Sequence, residues 1–268
     1  MTQTQSHHPL RVLQLTDPHL MASADGSLLG VNTRDSLSAV IDEVLAVHGQ
    51  PDLLLATGDI TQDASAEAYR VFGEKLQAFH CPSLWIAGNH DDAGVLNQIA
   101  AEYQANQRQR VQGGWHFIML DSAVQGKVYG ELPESELAFL DKALCAHPEL
   151  PTMVCLHHHP VSVGADWMEG IGLKNREAFW QILDKHPQVE IVLWGHIHQD
   201  LEQQRNGVQL IASPSTCIQF AAGATDFAVE SLAPGYRWFE LQPSGNFSTD
   251  VGRATQFRFE LDEKSGGY

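Results

Sequence analysis

The sequence is short of positive charge. Sixteen Lys and Arg stand against 33 Asp and Glu, a formal net charge of −17 over 268 residues. Such a surface repels the phosphate backbone, because affinity for polymeric nucleic acid comes from Lys and Arg displacing condensed counterions. No DNA or RNA partner is therefore expected, although bound cations can still attract a small anionic substrate. Cysteine is scarce too: Cys81, Cys145, Cys155 and Cys217 include no CxxC pair, which argues against a thiolate metal site or a disulfide framework. No apolar run reaches the roughly 18 residues of a membrane span. The first residues, MTQTQSHHPLR, have neither a cationic start nor an apolar signal core. These absences suggest a cytoplasmic protein with no membrane partner. Repeats, low-complexity tracts and a dividing linker are also missing, so residues 1–268 are expected to form a single domain. About ten residues at its start and about seven at its end are expected to be loosely ordered.

What is present is alternation. Short apolar runs at 11–16, 52–56, 83–86, 116–120, 152–156 and 190–193 predict strands. Between them, amphipathic stretches predict helices over 35–47, 64–79, 95–104, 133–146 and 174–185. In the first of these, Leu37, Val40, Ile41, Val44 and Leu45 lie on one side. Beyond residue 198 hairpin signals take over. Asn206-Gly207 separates 200–204 from 208–212, and Ser244-Gly245-Asn246 separates 236–242 from 247–251. Strand–helix units followed by hairpins fit two packed sheets with helices outside.

Five polar clusters each follow an apolar strand candidate: Asp17-Pro18-His19, Gly58-Asp59, Gly88-Asn89-His90-Asp91, His157-His158-His159 and Gly195-His196-Ile197-His198. Parallel strands would carry them to one edge, where open α/β sheets bind ligands. Asp, His and Asn are oxygen and nitrogen ligands suited to Mn, Fe or Zn. In Asp17-x-His19 and His196-x-His198, alternate side chains of an extended segment point the same way and can reach one ion. An ionised Asp59 can bridge two cations with its two oxygens, and two cations can stabilise both oxygens of an in-line displacement at phosphorus. Singly, each cluster reads as a turn, a cap or a solvated loop. All five in order do not.

In this order the clusters resemble the calcineurin-like metallophosphoesterase superfamily, whose pattern is D-x-H, G-D, G-N-H-[DE], H and G-H-x-H. The stretches 156–161, 195–200, 213–220 and 232–238 are similar to class III cyclic nucleotide phosphodiesterases, in particular bacterial 3′,5′-cyclic-AMP phosphodiesterases. The resemblance implies an α/β fold: a four-layer αββα sandwich of two mixed sheets flanked by helices. It implies one metal ion at Asp17, His19, Asp59 and His198 and another at Asp59, Asn89, His157 and His196, as iron with manganese or a second iron, zinc also fitting. The triple histidine leaves the ligand's register open, and His157 is chosen because it directly follows the strand. The expected reaction is hydrolysis of 3′,5′-cyclic AMP to 5′-AMP by a metal-bound hydroxide, lowering intracellular cyclic AMP signalling, in a monomer or homodimer. A broader phosphodiesterase or phosphomonoesterase, acting on 2′,3′-cyclic nucleotides or glycerophosphodiesters, is the alternative.

His90 is expected to stabilise charge or protonate the departing oxygen, with Asp91 orienting it. His19, Asp59, Asn89, His90, His198 and Thr216 are the expected substrate contacts. Arg34 is a candidate for a phosphate oxygen, and Trp167 and Phe220 for stacking on adenine.

Overall fold

The computed structural model describes residues 8–262. The expected looseness of the two ends falls outside this range except at residues 8–10, where the backbone enters a strand, and at Asp262, whose N–H donates to the Leu29 carbonyl at 2.9 Å. The chain opens with β1 (Leu10–Leu15), a two-residue ladder of β2 (Ser27–Leu28) and β3 (Val31–Asn32), and α1 (Thr33–Val47). Three strand–helix steps follow: β4 (Leu53–Thr57) with α2 (Ala66–Leu76), then β5 (Ser83–Ile86) with α3 (Ala93–Glu102), then the hairpin β6 (Gln109–Gln112) and β7 (Trp115–Met119) with α4 (Glu134–Ala146). Next come β8 (Thr152–Cys155), α5 (Arg176–Leu183) and β9 (Val189–Trp194). The final third is all strand: β10 (Leu201–Arg205), β11 (Val208–Ala212), the short pair β12 (Gln219–Phe220) and β13 (Val229–Glu230), then β14 (Gly235–Leu241) and β15 (Phe247–Arg253).

Two mixed sheets result, ordered β15-β14-β1-β4-β5 and β10-β11-β9-β8-β7-β6. Both predicted hairpins form, and each extends one sheet. β6 was not expected. Its sequence, Gln-Arg-Val-Gln, is too short and polar to announce a strand, and the Gly113-Gly114 turn after it was the available signal.

Alternation along the strands sorts side chains into layers. Val12, Leu53 and Leu55 face Phe117, Met153, Ile191 and Leu193 between the sheets. Leu13, Leu15, Leu54 and Ala56 face outward onto Leu37, Val40 and Val44 of α1, Phe72 of α2 and Ile99 of α3. On the far side Ile118, Val154 and Val192 pack against Leu140 and Leu144 of α4 and Phe179 and Leu183 of α5. The four-layer sandwich is therefore present as expected.

Capping sets where the helices begin. Asn32 accepts the Asp35 N–H, Ser65 the Ala68 N–H, and Asp92 the N–H groups of Gly94 and Val95. Asp92 starts α3 two residues before the apolar pattern does. Among the described residues one Lys or Arg lies inside the fold: Arg237 on β14 is wholly buried, bonded to the Ala212 carbonyl at 3.0 Å and paired with Glu202 at 2.7 Å and with Asp200. It ties the first sheet to β10, β11 and the loop beyond β9.

Candidate metal centre

β1, β4 and β5 run parallel in one sheet, as do β7, β8 and β9 in the other. The loops leaving their C-terminal ends meet, and each sheet supplies half of each contact. His198 Nε2 lies 3.3 Å from Asp17 Oδ1, and His157 Nε2 lies 3.3 Å from Asp59 Oδ2. Within the first sheet the loops after β1 and β4 run side by side. Asp17 N–H donates to the Gly58 carbonyl at 3.1 Å and His19 N–H to the Asp59 carbonyl at 3.0 Å.

Metal-capable atoms gather in overlapping groups, each within 4.8 Å: Asp17, His19 and His198; Asp17, Asp59 and His157; His19, Asp59 and His90; and His157, His158 and His196. Asp59 belongs to two of them, the position a bridging carboxylate requires. Asn89 joins through Oδ1, 3.2 Å from His157 Nε2. Six of the seven expected ligands are wholly or almost wholly buried, and Asn89 is half-buried.

The backbone is strained where these side chains leave it. Asp17, His19, Asp59, His196 and His198 all adopt left-handed conformations, with φ between 46° and 66°. Each such non-glycine residue costs roughly 1–2 kcal/mol, and strain of this kind concentrates at functional sites. Gly88 permits the approach of its loop, since a Cβ there would overlap the Asp59 carboxylate.

Hydrogen bonds decide which ring nitrogen faces the cluster. Nδ1–H of His157 donates to the Thr57 carbonyl at 2.8 Å, that of His198 to the Ile218 carbonyl at 2.9 Å, and that of His19 to Gln62 Oε1 at 2.7 Å. Their Nε2 lone pairs then point inward. His196 is turned the other way: its Nε2 donates to the Ile171 carbonyl at 3.1 Å, and its Nδ1 is buried without a partner. The inner atoms are therefore acceptors facing acceptors. His19 Nε2 lies 3.2 Å from His198 Nε2, and His157 Nε2 faces both Asn89 Oδ1 and Asp59 Oδ2. Lone pairs that converge in this way are what a cation can accept, so this donor set fits metal ions.

Titration follows the same geometry. Burial pushes His19 down to about 3 and His196 well below the ordinary value, which keeps both neutral and ready to ligate. Burial also acts to lower His157, but the charge of Asp59 outweighs it and raises His157 to about 9, so that in the metal-free chain a proton on Nε2 faces Asp59 and a bound ion would displace it. Asp59 in turn lies well below the usual carboxylate range, because His157 beside it overcomes the effect of burial.

The triple histidine divides by role. His157 reaches Asp59 and Asn89, while His158 also lies within ligand distance of His157 and His196. His158 is tied to Ser122 Oγ at 2.8 Å and His159 to the Met168 carbonyl at 3.2 Å. The half-buried His90 stands edge-on to His19, with ring centroids 5.1 Å apart, and its N–H donates to Asp59 Oδ1 at 2.8 Å. Beside Asn89 and His90 a cleft of 390 Å³ opens toward the start of α3 and the turn at 123–126.

Four expectations are corrected. Asp91 does not orient His90: its carboxylate accepts N–H groups of Gly88, Ile60 and Thr61 and hydroxyls of Thr61 and Tyr69, which use its lone pairs to lace two loops together. Burial and the charge of Asp59 push this carboxyl up to about 7. Thr216 is wholly buried behind Asp17, its N–H on the Thr16 carbonyl at 3.0 Å and its carbonyl accepting Ser36 Oγ at 2.6 Å. It supports a loop and does not face substrate. Arg34 donates to the carbonyls of Met21 and Ala22, closing the 20–26 loop. Phe220 stacks on His198 at 4.1 Å and meets Trp167 edge-on at 5.3 Å, so the two rings form a wall behind the metal ligands. The role of Gln62 had no sequence signal, since a Gln after Gly-Asp-Ile-Thr reads as ordinary loop.

Residues 10–200 match the calcineurin-like phosphoesterase family. The 3′,5′-cyclic adenosine monophosphate phosphodiesterase CpdA of Pseudomonas aeruginosa is 42% identical over 258 residues, covering 96% of this chain and 94% of its own length. The protein of the same name from Escherichia coli strain K12 is 40% identical over 261 residues, covering 97% and 95%. A dimetal phosphatase from Danio rerio superposes with a TM-score of 0.70 at 14% identity, over 92% of this chain and 97% of that one, which shows a shared fold.

Proposed function

We propose that the chain, which belongs to the calcineurin-like phosphoesterase family, hydrolyses 3′,5′-cyclic AMP to 5′-AMP at a dinuclear metal centre and so lowers the intracellular cyclic AMP signal. One observation carries the reading: buried nitrogen and oxygen ligand atoms from both sheets converge with Asp59 among them, a set that metal cations can satisfy. Near-full-length identity of 40–42% to proteins named cyclic AMP phosphodiesterases supports the substrate.

Asp17, His19, Asp59 and His198 would hold one ion, and Asp59, Asn89, His157 and His196 the other. Bound there, the ions would neutralise phosphoryl oxygens and lower the pKa of a coordinated water. A nitrogen and oxygen ligand set with no cysteine suits Mn, Fe or Zn, and among these the family resemblance implies iron with manganese or a second iron. His90, edge-on to His19 and lining the cleft, would donate a hydrogen bond to the phosphoryl group and a proton to the departing 3′-oxygen. The adjoining 390 Å³ has room for the nucleoside. We also propose that the whole chain acts as one domain in the cytoplasm, a compartment that suits its four free cysteines. Among the described residues no helix is long and apolar enough to cross a membrane.

The test is a substrate panel run beside elemental analysis of the purified protein. Two ions per chain, with kcat/KM for cyclic AMP well above that for cyclic GMP, 2′,3′-cyclic AMP and bis(p-nitrophenyl) phosphate, is the expected result. Equal efficiency on cyclic AMP and the chromogenic ester would replace this reading with a broad phosphodiesterase.

A further inference from the structure

The four histidines aimed at the metal centre are not held alike. Main-chain carbonyls hold three of them: Thr57 holds His157, Ile218 holds His198 and Ile171 holds His196. A main-chain carbonyl remains whatever residue occupies the position. His19 is different, because its Nδ1–H donates to the side-chain amide oxygen of Gln62 at 2.7 Å. We propose that Gln62 is a positioning residue, fixing the tautomer and ring plane of His19 so that Nε2 faces the ion shared with Asp17 and His198. This inference rests on the two-metal reading above.

The backbone aims the amide. Leu20 N–H donates to the Ile60 carbonyl at 2.9 Å, and Gln62 N–H donates back to the Leu20 carbonyl at 2.8 Å. With His19 N–H on the Asp59 carbonyl, these bonds set the loops after β1 and β4 in register and place residue 62 beside His19. Asp91 anchors the same segment through Ile60 and Thr61. Only the Gln62 side chain remains to be ordered, and its half-buried amide spans the gap to a wholly buried ring.

Two consequences follow from removing the acceptor. The Nδ1–H of a buried imidazole is left unsatisfied, which is unfavourable in itself. The ring can then relieve this by moving its proton to Nε2, placing a hydrogen where a ligand lone pair is required. Loss of such outer partners typically lowers metal affinity or activity by about 10–100-fold. Position 62 is thus where a side-chain replacement alone can retune this ion, with every ligand left in place.

The experiment titrates Mn²⁺ into the chelator-stripped full chain by calorimetry, comparing wild type with Gln62→Met and Gln62→Glu. Gln62→Met keeps the length and loses the acceptor. It should weaken one of the two Mn²⁺ sites by about 10–100-fold, leave the other unchanged, and regain turnover as Mn²⁺ is raised. Gln62→Glu still accepts the Nδ1–H and should keep both sites. Gln62→Leu serves as the acceptor-free variant if Gln62→Met folds poorly. Wild-type affinity at both sites in the acceptor-free variant, or an equal loss in Gln62→Glu, overturns the positioning role and leaves the dinuclear reading standing. Wild-type protein that takes up fewer than two ions overturns both.

Discussion

Tyr69 donates its phenolic hydroxyl to Oδ1 of Asp91 at 3.0 Å, and through that bond α2 is fastened to the loop that carries Asn89 and His90. The carboxylate it reaches also accepts Gly88 N–H at 2.8 Å, Thr61 N–H at 3.0 Å and Ile60 N–H at 3.1 Å. An amide at this position offers one oxygen and turns two protons toward other donors. Asp91→Asn is therefore expected to destabilise the fold by about 2–4 kcal/mol, read from urea unfolding, with turnover per folded, metal-loaded molecule little changed. Lost turnover at wild-type stability would return Asp91 to the chemistry.

His90 should behave in the opposite way. It touches the cluster from the half-buried side, edge-on to His19. His90→Ala should lower kcat by about 10²–10⁴-fold with both ions retained by elemental analysis. Asp59→Ala should instead lose the metals and with them all turnover, while Asn89→Ala should weaken mainly the second ion. An active, fully loaded Asp59→Ala would contradict the bridging assignment.

Metal removal should be felt as lost stability. Asp17 and Asp59 are wholly buried, and with the ions gone their charges are met only by protein groups, among them the rings of His198 and His157 and the main-chain N–H groups of His196 and His90. Metal at 100 times its Kd stabilises the folded chain by about 2.7 kcal/mol. At roughly 2–4 °C per kcal/mol for a chain of this size, chelation should lower the thermal midpoint by about 5–10 °C. Scanning calorimetry with and without chelator measures it, and an unmoved midpoint would mean that no tightly held ion was present.

Arg237 should matter to the sandwich more than to catalysis. Its guanidinium is wholly buried, although Asp200 and Glu202 are about half exposed at 49% and 54%. Arg237→Met leaves the Ala212 carbonyl and the hydroxyl of Ser213 without their donor. The expected loss is about 3 kcal/mol, visible as a lower denaturant midpoint. A midpoint within error of wild type would show that water replaces the buried pairings.

The acid side of the stability curve should report His116. Burial, reinforced by His147, lowers it to about 4, below the ordinary 6.5. As pH falls the unfolded chain therefore takes up this proton first, and stability drains away from about pH 6.5 until it levels below about pH 4. His116→Gln should remove that share of the slope when unfolding free energies are compared between pH 7 and pH 4. Parallel curves for the two proteins would exclude the residue.

The sequence by itself determined the layered sandwich and which polar residues gather at the strand ends. Asp17, His19, Asp59, Asn89, His157, His196 and His198 were legible because short motifs followed apolar runs, and parallel strands leave little choice about where their ends meet. The hairpins at Asn206-Gly207 and Ser244-Gly245-Asn246 were equally plain, since local turn chemistry specifies them. Tertiary structure alone decided what each polar side chain touches. Asp91 turned from His90 to loop amides, Thr216 went behind Asp17, and Gln62 came to His19. Pattern says only that a residue is polar; its partner is selected by contacts between segments far apart in the chain. The proton-bearing nitrogen of each histidine is likewise set by a partner elsewhere in the chain, and no local run of residues encodes it.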